Sequence, residues 1–323
     1  MDGHGERDTD TDTAGPDAAA APDAAEGPGA PRGARTDAAT EAFVAHRNLL
    51  FTVAYEMLGS AADAEDVLQE TWLRWSGVGL DAVRDRRAYL VRITTRQALG
   101  RLRTLARRKE SYVGPWLPEP LLTSPDVAED VELADSVSTA MLLVLETLAP
   151  TERAVFVLRE VFDLPYDEIA EAVGRSAATV RQIAHRARGH VAARRPRATV
   201  SAAETRGAVD AFRRAVETGD LQRLLDTLAP DVVFLADGGG IARAALAPVV
   251  GAAEVARVLA RIRDTMALVP AEVNGCPALL FRQRGAVDTV LTLRVAEGRV
   301  TGLYAVRNPE KLSRIERERA LSR

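Results

Sequence analysis

Large apolar residues are almost absent from residues 1–40 and then recur at helical intervals. Phe43, Leu50, Ala54 and Met57 share one helical face. After a turn signal at Gly59-Ser60, Ala64, Val67, Leu68, Thr71 and Trp75 mark a second helix over Ala61–Trp75. Asp63, Asp66, Gln69 and Glu70 are expected to point away from that face. A third helix is predicted from about Asp85 to Arg108. The pattern stops at "YVGPWLPEPLLTSP", where Pro115, Pro118, Pro120 and Pro125 exclude a regular helix and favour extended backbone. Helical spacing resumes near Asp135 and lasts to about Ala193. "RRPRATVSAAET" interrupts it again.

The last third changes period. Helices are predicted around Ala208–Glu217 and Leu221–Leu228, then a strand, "DVVFLAD". A further helix spans about Ala252–Asp264. "ALLFRQ", "VDTVLTLRV" and "RVTGLYAV" follow, β-rich runs punctuated by Gly. Helices followed by an antiparallel meander indicate an α+β domain. The fold class is therefore multidomain: two all-α units followed by an α+β domain. Asn308 and Pro309 fit a cap and first turn, with "EKLSRIERERA" continuing as a solvated charged helix.

Within the second helical block, "LPYDEIAEAVGRSAATVRQIAHRARGHV" reads as two short helices around a tight turn. Asp167 and Glu168 suit the positive end of the first helix dipole. Gly174 is placed to end that helix and Ser176 to cap the next. Val180, Ile183, Ala184, Ala187 and Val191 then pack inward, which turns Arg181, Gln182, His185 and Arg188 outward with Arg186 beside them. A major groove admits such a helix, and Arg and Gln form bidentate pairs with base edges.

Charge sharpens this picture. The chain carries a formal net charge of -4, yet seven arginines and no acid lie between Arg175 and Arg197. Ten Arg or Lys and one acid lie between Arg84 and Lys109, directly after the acidic helix Ala61–Trp75. Two cationic surfaces suit phosphate contacts, and an acidic one suits a protein. Residues 1–40 hold nine acids and three arginines among Ala, Gly, Pro and Thr, a composition expected to be disordered. Of 42 basic residues only Lys109 and Lys311 are lysine. Cys276 is the single cysteine, which excludes an intrachain disulfide and suits a cytoplasmic setting. No apolar run is long enough to span a bilayer, so no membrane partner is expected. No metal or cofactor motif is present.

"DAEDVLQETWLRW" resembles region 2 of bacterial sigma factors. "RAYLVRITTRQALGRLRTLARRKE" resembles the following part of that region, and "LAPTERAVFVLREVFDLPYDEIAEAVGRSAATVRQIAHRAR" resembles region 4. With no region 3 between them, the layout is similar to the extracytoplasmic-function (ECF) class. "YVGPWLPEP", "DGGG" and "NPEKL" resemble marker strings of SigJ-like members, which carry a C-terminal SnoaL-like domain of the NTF2-like cone fold. The resemblance implies an alternative sigma factor that binds the clamp helices and flap of core RNA polymerase. It also implies contact with promoter DNA, duplex and single-stranded. Polymerase contact carries over to Asp66, Gln69 and Glu70. The minus-ten surface carries over to Tyr89, Arg92, Thr95, Arg96, Arg103, Arg107 and Arg108. Minus-thirty-five recognition carries over to Ser176, Thr179, Arg181, Gln182, His185 and Arg186. Trp116, Pro118, Asp237, Asn308 and Lys311 are expected at a regulatory contact between the C-terminal domain and the sigma core.

On this basis the chain divides into an acidic tail (1–40), region 2 (41–110), a proline-rich linker (111–135) and region 4 (136–197). A short linker (198–204), the SnoaL-like domain (205–312) and a charged tail (313–323) follow. The cone fold encloses an apolar pocket able to take a small-molecule ligand, and some relatives perform acid–base chemistry there. No histidine follows His190, so only Asp237 and Asp288 could act as a base. A turn or domain-contact role suits Asp237 better, because Asp-Gly-Gly-Gly is turn chemistry. The protein is therefore expected not to be an enzyme. Two alternatives stay open: a one-component, ligand-sensing helix-turn-helix regulator, and a SnoaL-like enzyme fused to a DNA-binding unit.

Overall fold

The computed structural model describes residues 32–194, 201–261 and 266–323. The first helical block is α1 (Arg32–Leu58), α2 (Ala61–Trp75) and α3 (Arg86–Glu110). Ser60 accepts a hydrogen bond from the Asp63 amide and Asp85 one from the Ala88 amide, so both later helices start on a side-chain cap. Such caps contribute about 1 kcal/mol each. α1 begins earlier than the apolar pattern implied. The stretch 32–40, expected to belong to a disordered tail, is its opening turns. The buried Trp75 indole donates to the Ala39 carbonyl at 2.8 Å, a tertiary tie that composition does not reveal. The rest of the expected tail, residues 1–31, lies outside the described residues.

The second block comprises α4 (Pro125–Glu129), α5 (Val131–Val137), α6 (Thr139–Leu145), α7 (Pro150–Phe156), α8 (Tyr166–Val173) and α9 (Ala177–Arg194). A π-turn over Val157–Val161 continues α7. Gly174 closes α8 at φ 67°, the left-handed conformation that glycine adopts without strain. Extended backbone is expected throughout the linker 111–135; its end instead forms α4 and most of α5. Its proline stretch is docked as well: Leu117 and Leu121 are buried, and the Glu119 amide donates to the Gly59 carbonyl. The two blocks share one apolar core running from Leu50 and Trp75 through Leu142 and Val155 to Val180 and Val191.

The C-terminal domain opens with α10 (Ala202–Thr218), whose Ser201–Glu204 capping box fixes its start. The expected linker 198–204 therefore ends inside this domain, and residues 195–200 lie outside the described residues. α11 (Leu221–Thr227), β1 (Leu228–Asp237), β2 (Val249–Val250) and α12 (Ala252–Ala260) follow. β3 (Ala267–Val273), β4 (Cys276–Gln283), β5 (Ala286–Ala296), β6 (Arg299–Val306) and α13 (Pro309–Leu312) complete the chain order. The sheet order is β2-β1-β6-β5-β4-β3. β3 to β6 form the expected meander, but β1 joins β6 in parallel. Strand alternation splits the sheet's side chains between two faces. Phe234, Leu279, Phe281, Leu291, Leu293 and Leu303 pack with Phe212 and Val255 under the helices. Leu280, Val290, Tyr304 and Val306 form the opposite face with Leu117 of the linker and with Leu312 and Ile315.

The final segment 313–323 departs from the expected solvated helix. It runs as turns and extended backbone across the helical blocks. Arg319 pairs with Glu65 and lies over the Phe51 ring, and its amide donates to the Leu122 carbonyl. Leu321 is buried in the helical core, and Arg323 pairs with Asp130 and Glu132. Burial of Ile315 and Leu321, together with ion pairs to Glu65, Asp130 and Glu132, outweighs the polarity of this stretch.

Candidate nucleic-acid and polymerase surfaces and the interdomain clamp

α2 presents Asp66, Gln69 and Glu70 to solvent, one helical turn apart. Leu73 continues this stripe at 71% exposure, an apolar side chain that the sequence pattern did not single out. Asp66 pairs with Arg101, and Glu70 accepts from Gln97 at 3.0 Å. Asp63, expected on this outer surface, is buried instead and faces Arg101 and Arg108. It occupies the helix position nearest α3, where two guanidiniums compensate its lost hydration.

α3 buries Leu90, Val91, Thr94, Ala98, Leu102 and Leu105 and leaves a basic outer face. Arg96, Arg103, Arg107 and Arg108 are exposed. Arg92 lies over the Tyr89 ring at 4.6 Å, and Tyr89 packs against Trp75. Thr95 does not belong to this surface: it is fully buried on the inner face, one residue round from Arg96. Its hydroxyl has no hydrogen-bond partner among the described residues.

The helix-turn-helix is α8–α9. The Ser176 hydroxyl accepts from the Thr179 amide at 3.2 Å and lies 2.8 Å from the Thr179 hydroxyl, so this pair caps α9. Arg181, Gln182, His185 and Arg186 are all exposed on one side of α9, opposite the buried Val180, Ile183, Ala184 and Ala187. Arg181 lies 5.6 Å from the Tyr166 ring centroid. This is a cationic helix with its donors turned outward, the requirement for groove contact.

Four of the five residues expected at the interdomain contact converge. Asp237, at the end of β1, is fully buried. Its carboxylate accepts from the Tyr112 hydroxyl at 2.5 Å, the Leu117 amide at 2.9 Å and the Lys311 ammonium at 2.7 Å. Lys311 also donates to the Leu117 carbonyl at 2.5 Å and sits 3.4 Å from the Trp116 ring centroid. Asn308 donates to the Tyr112 hydroxyl at 2.8 Å while its side-chain oxygen caps α13. Burial pushes the Lys311 ammonium down to about 8, against the pull of Asp237. Pro118 is not part of this cluster; it packs beside Gly59 of the first helical block. Of the two roles open to Asp237, bonding the amides of its own turn and contact between the domains, the side chain takes the second. It accepts from the linker amide of Leu117, because the turn folds its glycines against Asn308 and Val113. Asp288 is held by Arg307 in a two-pronged ion pair.

Sequence reasoning missed two members. Tyr112 and Leu117 lie inside the quoted linker string, but nothing in a single sequence shows which of its residues meets Asp237. A second contact was missed entirely. Asn274 and Gly275 form the β3–β4 turn, both at positive φ. That turn enters the helical blocks, where Asn274 donates to the Tyr55 hydroxyl at 2.6 Å and to the Val137 carbonyl at 2.8 Å. An Asn-Gly dipeptide is a hairpin signal, but it does not announce a docking site. Burial pushes the Cys276 thiol beside it up to about 12, which keeps it an unreactive apolar group.

Residues 42–108 match the model for sigma-70 region 2, and residues 138–191 match that for sigma-70 region 4. The ECF RNA polymerase sigma factor SigJ of Mycobacterium tuberculosis (strain ATCC 25618 / H37Rv) is 35% identical over 290 residues, covering 84% of this chain and 92% of that protein. The "Probable ECF RNA polymerase sigma factor SigI" of M. tuberculosis (strain CDC 1551 / Oshkosh) is 35% identical over 287 residues, covering 87% and 97%. The crystal structure of M. tuberculosis SigJ superposes with a TM-score of 0.68 at 33% identity, covering 85% of this chain and 98% of that one. The match extends over both sigma regions and the C-terminal domain, and none of the helices among the described residues is long and apolar enough to cross a membrane. The chain belongs to the ECF RNA polymerase sigma factors, in the SigJ-like group whose two sigma regions are followed by a C-terminal α+β domain, and it is an alternative sigma factor that binds core RNA polymerase and promoter DNA.

Proposed function

We propose that the C-terminal domain of this sigma factor is a regulatory, non-catalytic module, and that it acts by gripping the linker between regions 2 and 4. One observation carries this reading: among the described residues, the buried Asp237 carboxylate bonds Tyr112 and Leu117 of the linker and, within its own domain, Lys311. A carboxylate engaged this way cannot serve as a base without breaking the interdomain contact. The layer between sheet and helices, where a cone enzyme would work, is lined by Phe212, Phe234, Phe281 and leucines. The protein works in the cytoplasm, where core polymerase and promoters are.

In this reading Asp66, Gln69, Glu70 and Leu73 meet polymerase. Tyr89, Arg92, Arg96, Arg103, Arg107 and Arg108 hold the minus-ten strand by charge and stacking. Arg181, Gln182, His185 and Arg186 read the minus-thirty-five duplex. Transcription in vitro with purified core enzyme tests the assignment. Arg181→Ala should weaken upstream-element recognition by about 1–3 kcal/mol. Asp237→Asn, or removal of residues beyond Thr205, should change transcription while the same promoters are chosen. Unchanged activity and unchanged polymerase affinity in both would refute the regulatory role.

A further inference from the structure

One buried acid of the linker has no ion-pair partner among the described residues. Glu119 is 4% exposed and stands between Pro118 and Pro120. Neither proline offers an N–H, and Pro120 confines Glu119 to extended backbone, so the segment docks with little conformational freedom to lose. The Glu119 amide donates to the Gly59 carbonyl at 2.9 Å. Its carboxylate accepts from the Ala62 amide at 3.2 Å and from the Ser60 hydroxyl at 3.3 Å. Burial pushes the carboxyl up, and the Ala62 and Ala61 amides pull it back down. Those amides open α2, where a helix has no internal acceptors for them. Ser60 is already engaged with the Asp63 amide. The linker thus supplies the second half of the α2 cap. The helix in turn supplies the donors and the positive dipole end that a desolvated carboxylate needs.

Ala62 is also the first position of the outward stripe that continues through Asp66, Gln69 and Leu73. Fixing the first turn of α2 fixes the direction in which that stripe points. The C-terminal domain reaches the same spot. The Asn274 amide donates to the Leu121 carbonyl at 2.8 Å, and the Leu121 amide donates to Asn274 Oδ1 at 3.0 Å. The Tyr55 hydroxyl, which accepts from Asn274, donates to the Glu119 carbonyl at 2.7 Å. Asn274 therefore holds Leu121 directly and Glu119 through the tyrosine.

We propose that Glu119 is a positioning residue for polymerase binding: from the linker it completes the N-terminal cap of α2, and the Asn274 turn of the C-terminal domain keeps it in place. The proposal rests on α2 as the polymerase face and on the reading that the C-terminal domain acts through the linker. It adds the route by which that grip reaches the polymerase surface. With the turn withdrawn, Leu121 loses two hydrogen bonds and the Tyr55 hydroxyl loses its donor. Glu119 is then held less firmly, and the first turn of α2 is formed in fewer molecules. Apparent affinity for polymerase falls in proportion to that fraction.

Titration of the full chain with purified core RNA polymerase, together with hydrogen exchange resolved to single amides, tests this. Glu119→Gln keeps the shape and an acceptor but removes the charge, and it should weaken polymerase binding about twofold. Glu119→Ala removes this part of the cap and should weaken binding about fivefold. In both variants exchange should rise at Ala61 and Ala62 and stay unchanged in α9. Unchanged polymerase affinity in Glu119→Ala overturns the proposal. Exchange that rises equally in α2 and α9 also overturns it, since that marks a purely structural role. Should Asp66→Ala leave affinity unchanged as well, the assignment of the α2 face is what fails, and the proposal fails with it. Asn274→Gly keeps the left-handed backbone and removes the side chain. It should weaken polymerase binding about twofold and speed exchange at Ala62. If the Glu119 variants behave as expected and Asn274→Gly changes neither readout, the cap stands and the grip of the C-terminal domain on the linker is what fails.

Discussion

Lys311 and Asp237 form an ion pair of 2.7 Å that is almost entirely shielded from water, and Leu117 of the linker bonds to both partners. Two charges on the C-terminal domain thus pair directly with each other and each also bonds the same residue of the sigma core. Lys311→Met should strand the Asp237 charge and cost about 3 kcal/mol, whereas Lys311→Met with Asp237→Asn should cost less than the single change. Urea unfolding of the three variants measures this. Lys311→Arg should also fail to restore the contact, since the niche against Trp116 holds a compact ammonium and not a planar fork.

Gly239 has φ +63, and a Cβ there would lie 2.3 Å from Asn308 Nδ2 and 3.1 Å from the Tyr112 hydroxyl. Gly239→Ala should therefore release the linker from the C-terminal domain while each unit stays folded. Faster proteolysis within 111–123, at an unchanged far-ultraviolet spectrum, is the expected result.

Glu56 predicts a pH response. It is buried at the end of α1, accepts from Ser136, and lies among Arg153 and Asp135. Burial pushes its carboxyl up to about 8 from 4.5. The folded state thus holds a proton that the unfolded chain releases, so stability falls as pH rises from about 4.5 to 8 and levels off above that. Glu56→Gln, which imitates the protonated form, should flatten the curve by on the order of a few kcal/mol at pH 8. Denaturation midpoints from pH 5 to 9 for both proteins decide it.

The closing strap predicts a stability effect at a position that sequence marks as peripheral. Leu321→Ala should cost about 2 kcal/mol, because the side chain is buried in the core shared by the sigma regions. Hydrogen exchange should show α1 and α5 loosening together.

If the exposed stripe of α2 meets polymerase as proposed, Leu73→Ala should weaken binding to core enzyme about tenfold, at least as much as Asp66→Ala. A rim charge is screened by salt, while an apolar anchor is not. Titrations at two salt concentrations separate the two contributions.

Local chemistry was legible from the chain. The helix starts at Ser60, Asp85 and Ser176, the left-handed stop at Gly174 and the outward set on α9 follow from spacing and capping, which act within one or two helical turns. The membership of Trp116, Asp237, Asn308 and Lys311 in one contact was legible only through family resemblance. Tertiary structure alone decided what lies between distant segments. It buried Thr95, which the family resemblance put on the minus-ten surface, and Asp63, which helical periodicity put on the outer face of α2. It put α1's opening turns under Trp75, docked the proline stretch, threaded the Asn274 turn toward Tyr55 and drew a charged tail into a core. It also set Glu171 on Arg92 and Arg96, which stand 75 or more residues away. The reason is range: a cap or a helical face is fixed by neighbours along the chain, whereas desolvation and charge pairing depend on which surfaces the folded chain brings together.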